Sequence, residues 1–333
     1  MKTPIAADTR HEELLAAFDS RFSDFDMMAG SPVAWEQKYD HIGRGRFDGR
    51  ITQVVLNTLQ VGRVIWRPGI MQRGSAPARS WVIGLPIAVE GTLHLRGRQI
   101  APGQPLLVGP CDDIAFTANG STDLALVAIP VEQIEYWMRV RRGAAGFDRG
   151  YLDRPWTVSA DEIARRGATL AKLLKSLLRS ARAGTHRSVL EAIEGALIDT
   201  VLGMAPSSEV AEPLHRRARI ALKLRDMLLA GVETPMTISA MCESLGVKER
   251  TLFLSCVEAF GRPPKTLLLE LRLNAARRAL TCPGAERTVT AVASRFGFLH
   301  FGHFSAAYQR QFAELPSVTL SRALGAKAIA PDA

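Results

Sequence analysis

Apolar and polar positions change period three times along the chain, and each change predicts a different kind of element. From about residue 34 to residue 130 the apolar residues fall in short runs separated by glycine. ITQVVLNTLQ, then Val61-Gly62, then RVIWRPG reads as a hairpin, two β-branched runs that cross near the glycine. SWVIGLPIAVEGTLHLRGRQIAPGQPLLVGP continues as strands broken at Gly84, Gly91, Gly97, Gly103 and Gly109. DDIAFTANGSTDLALVAIP adds a strand pair around Asn119-Gly120, a favoured tight-turn dipeptide. Many short strands, regularly punctuated, predict a small antiparallel barrel or sandwich. The preceding 30 residues are polar and mixed, with His11 to Phe18 fitting one amphipathic helix.

Beyond Pro130 the spacing becomes helical. VEQIEYWMRVRRG, residues 131–143, predicts a helix that closes the strand-rich unit. Leu170, Leu173, Leu174, Leu177 and Leu178 then form a helical stripe, and Ile193, Leu197 and Val201 form another. The second helix starts at Ser188 with Glu191 three residues on, the order of a capping box. The two stripes can pack on each other or on those of a second copy. APSSEVAEP, residues 205–213, reads as a linker.

Two similar patterns follow. In residues 237–261, Ile238, Met241, Cys242 and Leu245 share one helical face, and Gly246 supplies the left-handed turn. A second helix begins near Lys248, with Leu252, Cys256 and Phe260 inward and Gly261 at its end. In residues 288–312, Val289, Val292, Ala293 and Phe296 repeat the first face, Gly297 the turn, and Phe304, Tyr308 and Phe312 the second helix. Helix, tight turn, helix is the arrangement that sets a second helix into a DNA major groove. The connecting KTLLLELRLNAARRAL predicts a helix with Leu267, Leu271 and Ala275 on one side and Arg272, Arg277 and Arg278 towards solvent or phosphate.

Charge separates this double pattern from an ordinary helical bundle. Residues 214–327 hold 17 Lys+Arg against 8 Asp+Glu, a surplus of nine that equals the net +9 of the whole chain. A basic domain beside a neutral one is the electrostatic footprint of a nucleic-acid binder. Hydrophobic content of 47% and charged content of 23% fit a globular protein of two domains. No uninterrupted apolar run reaches eighteen residues, and the N-terminus lacks a signal-peptide core, so a cytoplasmic protein without a membrane partner is expected. Cys111, Cys242, Cys256 and Cys282 lack metal-ligand spacing and read as buried, reduced thiols.

RTLFLSCVEAFG, RLNAARRAL and GFLHFGHFSAAYQRQFAELP together resemble the AraC/XylS family of bacterial transcription regulators, and most of all the branch of the ethanolamine-operon regulator. Leu254, Cys256 and Ala313 depart from that pattern, standing where an arginine, a core aromatic and a glycine are usual. The resemblance implies an α+β chain: a cupin-like sensory domain over residues 1–155, a helical hairpin for dimerisation over 156–205, a linker over 206–213 and a DNA-binding domain with two helix-turn-helix motifs over 214–325. It further implies double-stranded DNA, RNA polymerase and a second copy as partners, and activation as the outcome.

Positions flanking the inward ones name the expected readers. In the first motif these are Lys248, Arg250, Thr251 and Phe253; in the second they are His300, Gly302, His303 and Ala306, with Gln309 and Arg310 on phosphates. Arg250 suits a guanine edge, so the first motif is expected to carry most of the specificity. No nucleophile elbow, P-loop or dinucleotide fingerprint occurs, and His11, His41 and His94 lack partners at ligand spacing, so neither an enzyme nor a cofactor or metal is expected. Asp112-Asp113 reads as a turn, and Trp35, Trp66 and Trp81 as core. Arg63 and Arg67, four apart on one strand face, and Arg46 and Arg50 before it, suit an anionic effector such as a cyclic dinucleotide. The alternative is a DNA-binding protein whose cupin half is enzymatic or metal-dependent.

Overall fold

The computed structural model describes residues 14–33, 35–56, 59–110, 112–142, 156, 158–183, 187–204, 216–234, 236–282 and 288–329. Two antiparallel sheets form the first half. Six strands make one sheet in the order β1 (Leu14–Phe22), β3 (Asp48–Leu56), β4 (Gln60–Arg67), β11 (Thr122–Pro130), β6 (Ser80–Val89) and β9 (Leu106–Val108). Five make the other: β2 (Glu36–Ile42), β5 (Gly69–Ser75), β10 (Asp113–Ala118), β7 (Leu93–Leu95) and β8 (Arg98–Ile100). Neither sheet closes on itself, which resolves the choice between barrel and sandwich in favour of two open, facing layers.

The side-chain period of two explains how one sheet serves two cores. Val61, Trp81, Ile83, Leu85, Ala125, Val127 and Ile129 point to one face, where α2 (Val131–Arg142), α3 (Ala160–Ala183) and α4 (Arg187–Leu202) cover them. Val64, Trp66, Val82, Leu124 and Ala128, of opposite parity, point to the second sheet. Both faces are buried, so residues 51–56 of β3 and 80–85 of β6 are buried continuously rather than at alternate positions. The Leu170, Leu174 and Leu177 stripe packs within this chain, against the six-stranded sheet and α4.

Three expectations change here. Residues 14–22 form strand β1, paired with β3 from Leu14↔Leu56 to Phe22↔Gly49, and not a helix; residues 11–13 lie outside the described part. Phe18 and Phe22, four apart, satisfy either period, and the open edge of β3 decides between them. β3 and β4 pair as far as Val55↔Gln60, with Leu56 N donating to the Leu59 carbonyl at 2.9 Å, and Gly62 sits inside β4 opposite Gln53 and not at the crossing. Asn119-Gly120 joins strands of different sheets, because β10 pairs with β5 and β7 while β11 pairs with β4 and β6. A Cβ on Gly120 would lie 1.9 Å from the Glu90 carbonyl oxygen, so close backbone approach requires the glycine.

The second half comprises α5 (Arg216–Ala230), α6 (Ile238–Leu245), α7 (Glu249–Phe260), α8 (Pro264–Thr281), α9 (Val289–Arg295), α10 (Phe301–Phe312) and α11 (Pro316–Ile329). Met241, Leu252, Cys256, Phe260, Leu267 and Leu271 bury one core with α5. Val292, Ala293, Phe296, Phe304, Tyr308 and Phe312 bury another. This second core is continuous with the space between the sheets, through α1 (Phe25–Ala29). The linker expected at 205–213 lies outside the described residues, as does the side chain of Ser188.

Candidate nucleic-acid interface and the domain junction

Local chemistry builds the two motifs in the same way. Thr237 caps α6 by accepting from Ala240 N at 3.2 Å, and Thr288 caps α9 by accepting from Ala291 N at 3.2 Å. Gly246 leaves α6 at φ 62°, and Gly297 provides the turn after α9 at φ 76°. Each motif thereby fixes the start of its second helix, α7 or α10.

On α7, Lys248 is the N-cap residue, Arg250 and Phe253 are exposed, and Thr251 is half-buried. On α10, His300, Gly302, His303, Ala306, Gln309 and Arg310 are all exposed, with His300 and His303 rings 5.6 Å apart. The expected readers therefore occupy the open sides of the two helices, while Phe304, Tyr308 and Phe312 turn inward. Two residues escaped the sequence reading. Leu299 is 85% exposed and Phe301 42% exposed, both at the start of α10. The signal was legible: apolar residues off the inward stripe, beside a glycine turn.

The arginines of α8 are the main correction. Arg277 and Arg278 face neither solvent nor phosphate; they enter the strand-rich half. Arg277 Nη2 donates to Asp24 Oδ2 at 2.9 Å, and its guanidinium lies 4.8 Å from the Phe25 ring centre. Arg278 donates to Asp26 Oδ1 at 2.9 Å, to Asp40 Oδ1 at 2.8 Å and to the Tyr39 carbonyl. Arg272 donates to the Thr234 carbonyl at 2.7 Å. The acids that pair with Arg277 and Arg278 stand 238 to 253 positions earlier, beyond the reach of any local pattern.

The same helix fastens β2 by amide chemistry. His41 N donates to Asn274 Oδ1 at 3.0 Å, and Asn274 Nδ2 donates to His41 O at 2.8 Å. Gln311 Nε2 donates to His41 O as well, at 3.0 Å, and Gly43 N donates to Glu270 Oε1 at 3.0 Å. Arg262 donates to that Glu270 oxygen at 2.9 Å. A Cβ on Gly261 would lie 2.1 Å from Asn119 Nδ2, so this glycine admits the sheet domain as well as ending α7 at φ 65°.

Burial sets the ionisation of these groups. Burial pushes the Asp24 carboxyl up, but Arg277 and the N–H groups of Met27 and Asp26 outweigh it and hold it below its usual value. At Asp26 and Glu270 burial wins over Arg278 and Arg262, and both are raised. His41 is pushed down to about 3 by burial, helped by Arg277 and Arg262, and His94 to about 4 by burial. Both are neutral core histidines, stacked or packed rather than poised as ligands.

The four candidate effector arginines do not converge. Arg50 and Arg63 lie close enough to repel one another, yet each is held by an acid: Arg50 by Asp19 at 2.5 Å and Arg63 by Asp123 at 2.5 Å. Arg67 is exposed at the end of β4, and Arg46 lies at the domain junction. Trp66 and Trp81 are buried; Trp35 is half-buried and donates to Gln60 at 2.9 Å. Trp35 and Trp66 line a cavity of about 40 Å³ between the sheets. Asp112 does sit in a turn, paired with Arg96 at 2.6 Å, whereas Asp113 begins β10. Of the described cysteines only Cys256 is buried, its thiol pushed up to about 12; Cys242 is half-buried and Cys282 exposed, and Cys111 lies outside the described residues. No helix among the described residues is long and apolar enough to cross a membrane.

Residues 241–322 match the helix-turn-helix domain family. The XylDLEGF operon transcriptional activator of Pseudomonas putida is 23% identical over 289 residues, 83% of this chain and 85% of its own length. The "Probable thc operon regulatory protein" of Rhodococcus erythropolis is 33% identical over 96 residues, 28% of this chain and 29% of its own. A solved AraC family transcriptional regulator from Rhodopseudomonas palustris CGA009 shares 30% identity, covering 32% of this chain and 97% of its own, with a TM-score of 0.30. A double helix-turn-helix joined to a two-sheet domain defines the class, a DNA-binding transcription regulator and not an enzyme. The domain match and these relatives support the resemblance to the AraC/XylS family.

Proposed function

We propose that the chain is a one-component transcription activator of the cytoplasm, whose two-sheet domain takes a small anionic effector and thereby changes how α7 and α10 engage a promoter. The observation that carries the reading is the junction of α8 and β2: a helix between two DNA-reading units is bonded to the sensory sheet by Asn274, Arg277 and Arg278. The relatives named as operon activators support the direction of control, and the run GFLHFGHFSAAYQRQFAELP supports a place beside the ethanolamine-operon regulator. RNA polymerase is the partner that activation requires. A homodimer would use surfaces other than the Leu170 stripe, which is occupied within the chain.

In this reading Lys248, Arg250, Thr251 and Phe253 read one groove, and His300, Gly302, His303 and Ala306 the next, with Gln309 and Arg310 on phosphates. Leu299 and Phe301 add apolar contact of the kind that reads thymine methyl groups. A cyclic dinucleotide would have to displace Asp123 from Arg63 and Asp19 from Arg50, whereas a smaller anion can use Arg46 or Arg67 without breaking a pair.

A footprint on selected DNA tests the claim. Protection of two successive grooves per chain, roughly 34 Å apart, is expected; a single protected groove overturns it. Arg250→Ala should relax discrimination at one base pair by about 1–3 kcal/mol, and uniform weakening on all sequences would instead make Arg250 a phosphate contact.

A further inference from the structure

A cleft of about 150 Å³ opens where the two halves meet, lined by Ser23, Phe25, Arg46 and Phe47 from the sheet domain and by Arg277, Phe312, Ala313, Glu314 and Arg322 from the helical one. Three of its lining residues are arginines and one is an acid. Arg322 is matched by Glu314 at 2.9 Å, and Arg277 by Asp24 at 2.9 Å through Nη2. Two donors remain. Arg277 is buried, with 8% of its side chain exposed, yet its Nη1 has no hydrogen-bond partner. Arg46 forms no ion pair with another described residue and is exposed to solvent.

A buried guanidinium nitrogen without an acceptor is costly, and a bound water or ion is one group that can supply the acceptor. The cleft thus offers one unmatched N–H on Arg277 and one unpaired charge on Arg46, and the Phe25, Phe47 and Phe312 rings that also line it lower the local polarity that would otherwise screen an anion. The C-cap of α10 adds a further mark. Ala313 adopts φ 56°, a left-handed conformation that alanine avoids, at the wall of the cleft.

We infer that this cleft binds a small oxyanion head group, carboxylate or phosphate, held between Arg277 Nη1 and the Arg46 guanidinium. At about 150 Å³ the cleft is well below the several hundred Å³ that enclose a drug-sized ligand, so it takes a head group and not a dinucleotide. Such an anion bridges loop 43–47 of the sheet domain to α8 and to the C-terminal end of α10, where Gly45 N already donates to the Arg310 carbonyl at 3.3 Å. Because it touches both halves, it favours their docked arrangement by mass action. The inference rests on the reading that the chain senses an anion, and names where.

The test is thermal unfolding of the full chain with inorganic phosphate and, separately, acetate, at constant ionic strength set by sodium chloride. At least one of the two should raise the midpoint saturably, phosphate alone marking a phosphorylated effector and acetate a carboxylate. Arg46→Ala should weaken the apparent dissociation constant at least about tenfold. Arg46→Gln, read in the same way, serves if Arg46→Ala does not fold. No saturable shift, an equal shift with chloride, or undiminished affinity in the variant overturns the site. Gel shifts in the same salts separate the two readings: saturable binding with unchanged DNA affinity leaves the site standing and defeats sensing through it.

Discussion

His41 shows how much one residue's environment outweighs its type. From sequence it is an isolated histidine. In the fold it stacks on Phe25, meets Phe47 edge-on and lies 5.5 Å from the Phe312 ring, with neither ring nitrogen hydrogen-bonded. Its pKa of about 3, and that of about 4 for His94, lie below the unfolded value near 6.5. The unfolded chain therefore binds more protons between these values, and stability present above pH 6.5 is lost as pH falls through that window, by up to about 1.4 kcal/mol per pH unit for each histidine. Urea unfolding between pH 7 and pH 5 should show this slope, and His41→Phe should roughly halve it. Because the imidazole makes no hydrogen bond, the same substitution should cost less than about 1.5 kcal/mol at pH 7; an unchanged slope would show that His41 is solvated.

At the scale of elements, α8 is the piece that the sequence described by half. Leu267 and Leu271 are buried as their spacing requires, and Pro264 sits at the start of the helix where its missing N–H is harmless. The other side of the helix looked like a phosphate-facing ridge because Arg272, Arg277 and Arg278 are charged, and a local pattern cannot show Asp24, Asp26 and Asp40 approaching. Asn274 is fully buried and satisfies both the N–H and the C=O of His41. Asn274→Ala should leave that peptide group partly unpaired and cost about 1–3 kcal/mol, read in denaturant unfolding. The strands show the same limit. Their number and spacing were legible, but the Asn119-Gly120 hairpin was not one, because strand pairing is a choice among edges that only the assembled sheets present.

For the whole molecule, the consequence is that the two halves are one cooperative body. A single apolar cluster runs from Trp66 and Phe116 between the sheets, through Phe25 and Met28, to Phe304 and Phe312 of the second motif. One unfolding transition is expected by calorimetry. Arg278→Ala leaves Asp40, whose side chain is 1% exposed, with only Arg73 at 3.1 Å as an ionic partner. Breaking such a buried pair typically costs about 3–5 kcal/mol, and the loss should fall on the junction, splitting the transition into two. A single transition at an unchanged midpoint would mean that Arg278 contributes nothing across the junction.

The double motif was decided by the sequence alone. Its glycine turns, its inward stripes and its excess of basic residues are local properties, fixed by backbone conformation and helical period within a dozen residues. The exposed positions of Arg250 and His303 follow from the same period. The destination of that charge was decided only by the tertiary structure. Arg277 and Arg278 carry the same formal charge as Arg250, yet they neutralise carboxylates of the sheet domain, because an ion pair depends on distance in space and not along the chain.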